Sequence, residues 1–224
     1  MKIAVGAAAL LLFTDSTASA APITFATRAG FDAQAGILPI ETFEEGVVAP
    51  NSIVACPGFL ASTTINACFS AGDILPGITL TSSTVHPPDG LALTGAGFNG
   101  VPSKAVFANY SGDTLDLRFT SSNAIGLDLH SIFVDSPIAI TVFGAGDVVL
   151  DVFVVLATAG GRFWGIIGDG PITRLNLSSV NGTHEGVDNV AFGAAVAAVP
   201  EPASLTLLGA GLLGVVRARR RARK

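Results

Sequence analysis

Between Thr42 and Phe192 one short β-type segment follows another, at intervals that leave little room for a helical crossover. Parallel strands need a dozen or more connecting residues, usually helical, so these segments have to pair antiparallel. The sequence predicts strands at Thr42 to Glu44, Thr79 to Thr81, Leu91 to Thr94, Ala105 to Asn109, Thr114 to Thr120 and Ala124 to Val134. Further strands are predicted at Ile138 to Phe143, Val148 to Ala157, Phe163 to Ile167, Ile172 to Leu177 and Val187 to Phe192. In Leu115-Asp116-Leu117-Arg118-Phe119 apolar and charged residues alternate, which gives a strand one buried and one wet face. Leu127-Asp128-Leu129-His130 repeats the pattern. Pro87-Pro88-Asp89-Gly90, Ser111-Gly112-Asp113, Gly144-Ala145-Gly146-Asp147 and Gly168-Asp169-Gly170-Pro171 read as turns between strands. No long amphipathic helix is legible. The expected fold is all-β, an antiparallel two-sheet sandwich of jelly-roll type, with a core supplied by residues 21–199.

The two ends follow other rules. Lys2, the apolar run Ile3 to Phe13 and the small residues Ala18-Ser19-Ala20 stand in the order of a signal peptide, with cleavage by signal peptidase expected after Ala20. Residues 1–20 are thus a leader and 21–199 the cargo. At the other end Pro200-Glu201-Pro202 precedes an apolar segment, 203–216, and then the basic cluster Arg217, Arg219, Arg220, Arg221, Arg223 and Lys224. A bilayer core asks for about 20 apolar residues, so this span is short. Flanking arginines help a short span by snorkelling, and they hold its end in the cytoplasm as a stop-transfer signal. The expected product is a short C-terminal transmembrane helix with the cargo facing outward.

The tripeptide, the glycine-bearing span with Gly209, Gly211 and Gly214, and the arginine cluster together resemble the PEP-CTERM sorting signal of Gram-negative bacteria. That resemblance implies an exosortase-type protease acting near Pro200, Glu201 and Pro202. It further implies transient anchoring in the inner membrane and delivery to the outer surface or extracellular matrix. The cargo, ending in Val187-Asp188-Asn189-Val190-Ala191-Phe192-Gly193, is similar to the lectin-like and carbohydrate-binding jelly rolls that such tails carry. Extracellular polysaccharide is the ligand class this implies.

Charge narrows the partners. The whole chain carries a formal charge of -5, but residues 21–199 hold fifteen of its 17 acidic residues and only Arg28, Lys104, Arg118, Arg162 and Arg174 as bases. An acidic cargo argues against nucleic acid, and the positive charge is confined to the terminal cluster beside an apolar segment. Divalent cations suit such a surface. Glu44 and Asp188, near the first and last core strands, are candidate calcium ligands because jelly-roll topology brings those strands together; capping turns or facing water is the alternative. The cysteines Cys56 and Cys68 are expected to form a disulfide in an oxidising compartment. His86, His130 and His184 are too scattered for a zinc site. The sequence lacks a Gly-x-Ser-x-Gly elbow, a His-Glu-x-x-His helix and a phosphate loop, so a noncatalytic protein is expected. Arg162-Phe163-Trp164 offers one candidate platform, with Trp164 as a stacking residue or as core. A structural matrix constituent without a ligand is the rival reading, and a secreted glycan hydrolase the third.

Overall fold

A computed structural model describes residues 22–83 and 90–195. The leader 1–20, the sorting tripeptide Pro200-Glu201-Pro202, the apolar segment 203–216 and the basic residues 217–224 lie outside the described residues. In chain order the elements are β1 (Ile23–Phe25), α1 (Arg28–Ala35), β2 (Ile40–Glu41), β3 (Ile53–Cys56), β4 (Ile78–Ser82), β5 (Leu91–Thr94) and β6 (Ala105–Ala108). Then follow β7 (Leu115–Ile132), β8 (Ser136–Phe143), β9 (Val149–Ala157), β10 (Arg162–Ser179) and β11 (His184–Gly193). Among the described residues every pairing between these strands is antiparallel, and one isolated parallel bridge joins His130 to Thr158.

The eleven strands form one hydrogen-bonded sheet that folds over into two layers. β7 and β10, each 18 residues long, run through both. Their paired halves Ala124–Leu129 and Arg162–Ile167 continue into β11, β6, β5 and β3 on one side and β1 on the other. The opposite halves, Leu115–Phe119 and Arg174–Ser179, join β4 to β8 and β9. The layer change falls where the ladder slips between Ile167 and Ile172 and where Ser121 takes a left-handed φ of 54°. Extra residues in one strand bend it and increase its twist. For this reason two pairs of predicted strands are two bent strands, and Gly168-Asp169-Gly170-Pro171 is a bulge inside β10 and not a turn between strands.

Between the layers lies a core of Leu, Ile, Val and Phe from nearly every strand, including Leu117, Leu127, Ile140, Leu175 and Val187. The first layer is also covered on its outer face, by α1. Thr27 starts that helix, its Oγ1 accepting from the Gly30 amide at 3.3 Å, and Gly36 ends it at a φ of 79°. Phe31 and Ala35, four residues apart, bury one stripe. Phe31 rests on Gly126 and Gly165, which face each other across β7 and β10. A Cβ on either would stand within 2.9 Å of the Phe31 ring. The glycines leave the slot that the aromatic fills.

Cys56 and Cys68 form the expected disulfide. β2 pairs with β11, the adjacency of early and late strands expected of the jelly-roll reading. The predicted first strand, Thr42 to Glu44, is displaced to Ile40–Glu41. Phe43 adopts a φ of 56°, and Glu41 folds back so that its Oε1 accepts from the Phe43 amide at 2.7 Å.

Candidate functional site: a cleft between two strand edges

β1 and β9 each have only one strand partner among the described residues, so each keeps an open hydrogen-bonding edge beside a cleft of about 430 Å³. Thr24, Phe25 and Ala26 form one wall, and Val154, Val155, Leu156 and Thr158 the other. Arg162, Phe163 and Trp164 complete it from the start of β10. The size is in the range of small-ligand sites. On β9 the outer face exposes Val152, Val154 and Leu156, while Phe153 and Val155 turn inward and pack on the core. Asp151 occupies part of the edge, its Oδ1 accepting from the Val152 amide at 2.8 Å.

Arg162 distinguishes this cleft electrostatically. Arg28 sits 3.9 Å from Asp128, Lys104 bonds Glu44, Arg118 lies 3.7 Å from Asp147, and Arg174 bonds Asp116 and Asp147 at 2.9 and 3.0 Å. Among the described residues Arg162 alone of the basic side chains has neither an ion pair nor a hydrogen bond from its guanidinium, and it is exposed. Five N–H donors in a rigid fork therefore face the cleft and solvent.

Trp164 has a different place from the stacking platform considered from sequence. Alternation along β10 turns it inward, where it is 5% exposed and its ring centroid lies 5.6 Å from that of Phe153. It supports the cleft from beneath and has no open face for a ligand. Phe163 points to the other side, against Phe31 and under Arg28, whose guanidinium lies 4.6 Å from its ring centroid. Phe25 is the half-buried aromatic on the opposite wall.

Glu44 and Asp188 do meet in one polar cluster on the outer face, and protein groups satisfy both. Ser103 Oγ donates to Asp188 Oδ2, the Asn189 amide to its Oδ1 at 2.6 Å, and Asn189 Nδ2 to both Asp188 and Asp128 at 3.0 Å. The Lys104 amide donates to Glu44 Oε1 at 3.0 Å. Burial pushes the Asp188 carboxyl up to about 7; the Ser103 and Asn189 bonds oppose this, and the charges of Asp128 and Glu44 add to it. Among the described residues no three His, Cys, Asp or Glu are grouped to hold a metal ion. Sequence reasoning placed Asn189 beside Asp188 in this cluster and missed Ser103 and Asp128 as members of it. The outward position of Asp128 was legible in the Leu127 to His130 alternation, but its register opposite Asp188 was not.

A second polar network crosses the outer face of the other layer. Arg174 lies over Phe143, 3.5 Å from the ring centroid, and Asn176 Nδ2 donates to Thr114 and Asp116 at 3.0 and 3.2 Å. Its charges neutralise one another, which suits a structural role. His86 lies outside the described residues, and the two described histidines are held by carbonyls: His130 Nδ1 is 3.0 Å from Ala159 O and His184 Nδ1 3.1 Å from Ala108 O. Burial lowers the pKa of His130. Neither ring is bonded to a hydroxyl or a carboxylate among the described residues.

Residues 198–221 match the PEP-CTERM protein-sorting motif. The match marks an exported protein that an exosortase handles at the membrane. No curated protein matches the chain. Among solved structures, the module CsCBM6-3 from Clostridium stercorarium in complex with cellobiose is 13% identical, covering 51% of this chain and 87% of its own, at a TM-score of 0.34. A mutant of the family 29 carbohydrate-binding module CBM29-2 is 13% identical over 67% of this chain and 99% of its own, at 0.38. A family two carbohydrate esterase from Cellvibrio japonicus is 9% identical over 53% of this chain and 35% of its own, at 0.30. At this level of similarity the ligands and activity of those proteins do not transfer to this chain.

Proposed function

We propose that this chain is a noncatalytic surface or matrix protein that binds an extracellular polysaccharide in the cleft between β1 and β9. The carrying observation is Arg162, an exposed guanidinium without a protein partner among the described residues, set beside Thr24, Thr158 and the apolar residues Phe25, Val154 and Leu156. A sugar ring has hydroxyl edges and apolar C–H faces. The guanidinium, the two threonine hydroxyls and the open strand edges match the former, and the apolar walls match the latter. The overall acidity of the cargo favours neutral chains over strongly anionic ones. The tail would place the cargo there: exosortase action near Pro200-Glu201-Pro202 releases it from the inner membrane to the outer surface of a Gram-negative cell.

Glycan-array binding by the purified protein, repeated with Arg162→Ala, tests this reading. Reproducible binding that falls at least tenfold in the variant supports it, and wild-type binding unaffected by the substitution contradicts it. A structural matrix role is the second reading. It is favoured by the exposed row Val148, Val149, Leu150, Val152, Val154 and Leu156, an apolar strip at a strand edge suited to lateral association. Concentration-dependent assembly without glycan binding would select it.

A further inference from the structure

Glu185 presents a separate problem at one end of the sandwich. It lies on the core face of β11 between Thr183 and Val187 and is 0% exposed, yet among the described residues neither carboxylate oxygen has a hydrogen-bond partner. The amides of Ser179 and Glu185 itself face the carboxylate without reaching hydrogen-bond geometry. Buried carboxylates are normally bonded, and one that is not calls for a water or an ion beside it.

Its surroundings are oxygen-rich. Asp113, 1% exposed, is near enough for its charge to act on Glu185. Four hydroxyls form a chain below them: Ser136 to Ser179 at 3.1 Å, Ser179 to Thr183 at 2.8 Å, and Thr183 to Ser131 at 3.3 Å. Ser131 donates onward to the Val134 carbonyl at 2.8 Å. One consistent direction of donation along this chain uses every hydroxyl proton within it, which leaves none for Glu185. The strand register accounts for the gathering. Glu185 is opposite Ser131 on β7, and Ser136 and Ser179 stand at the ends of β8 and β10 facing it from the other layer.

We propose that Glu185 and Asp113 bind one calcium ion between the two layers, with hydroxyl and carbonyl oxygens of the same end completing its shell. The two carboxylates balance the double charge. A set of oxygens without nitrogen or sulfur suits a hard cation, and calcium tolerates the irregular geometry that loops and strand ends provide. The ion would tie β11 to the β6–β7 connection and so pin the loops at this end. This site is distinct from the Glu44 and Asp188 cluster, whose carboxylates point to the outer face and are satisfied by protein groups.

Thermal unfolding of the full chain at pH 8, in EDTA and with added calcium chloride, tests the assignment. At calcium a hundred times its dissociation constant, linkage predicts a rise in Tm of roughly 5–10 °C in wild type. Glu185→Gln, an isosteric neutral variant, should lose the rise; Asp113→Asn should shrink it at least tenfold in calcium affinity; Asp188→Asn should keep it. No rise in wild type overturns the proposal, as does a rise retained by Glu185→Gln or lost equally in Asp188→Asn. Should Glu185→Gln not fold, the Asp113→Asn titration decides, and unchanged affinity there overturns it.

Discussion

Removing the proton from Glu185 should cost this fold stability in a pH range where most proteins gain none. Burial lifts the carboxyl from 4.5 to about 8, with the charge of Asp113 adding and the nearby amides opposing. The folded state therefore binds this proton more tightly than the unfolded state. The stabilisation it gives is complete below the unfolded value, and it is lost as pH rises through the folded one. At about 1.4 kcal/mol per tenfold difference in proton affinity the ceiling is roughly 5 kcal/mol, and relaxation of the site brings the expected loss to about 2–4 kcal/mol. Asp188, pushed up to about 7 mainly by burial, acts in the same direction. His130 opposes both below its unfolded value of 6.5, because its depressed pKa makes the folded state the weaker proton binder. The clean window is therefore pH 6.5 to 8. Urea unfolding in EDTA across that window should show wild-type stability falling with pH, and Glu185→Gln should show a smaller slope. A flat or rising wild-type curve would mean that Glu185 is solvated or paired, contrary to its burial without a partner among the described residues.

Other consequences follow from separate parts of the molecule. Cys56→Ser should lower stability by about 3 kcal/mol under nonreducing conditions, the value expected for a loop of this size, measured by denaturant midpoint. Gly165→Ala should cost about 1–3 kcal/mol, because its Cβ would meet the Phe31 ring at 2.8 Å and lift α1; protection of α1 amides from hydrogen exchange should fall with it. Replacing Pro200-Glu201-Pro202 by alanines should leave the melting temperature of the cargo unchanged and block processing in the native host, read as the intact mass of the mature protein.

The alternation of Leu115 to Phe119 made the antiparallel pattern readable, and Leu91–Thr94 was placed to the residue because its apolar run stands between Gly90 and Gly95 in the sequence. The bends in β7 and β10 were hidden. A Gly-Asp-Gly-Pro sequence is turn-like on local grounds, and only pairing with β7 keeps it in a strand. α1 was missed since eight residues with two buried positions make a weak periodic signal, although Thr27 and Gly36 carry its start and stop. β1 and β3 are short, and pairing with neighbours defines them more than composition does. Of the site, Arg162 was legible as one of five bases in the cargo and Trp164 as its only tryptophan. That Trp164 turns inward while Arg162 stays unpaired depends on strand register and on where distant acids fall. Glu185 gave no signal at all. It sits beside Gly186 and Val187 in a strand buried on both faces, by the opposite layer on one and in part by α1 on the other.

The most direct measurement is the affinity of the purified protein for the polysaccharide of its own host's matrix, by isothermal titration calorimetry, for wild type and Arg162→Ala. The expected result is saturable binding weakened at least tenfold by the substitution, with the melting temperature unchanged. Absence of binding by wild type, or equal affinity in the two proteins, would contradict a glycan site between β1 and β9.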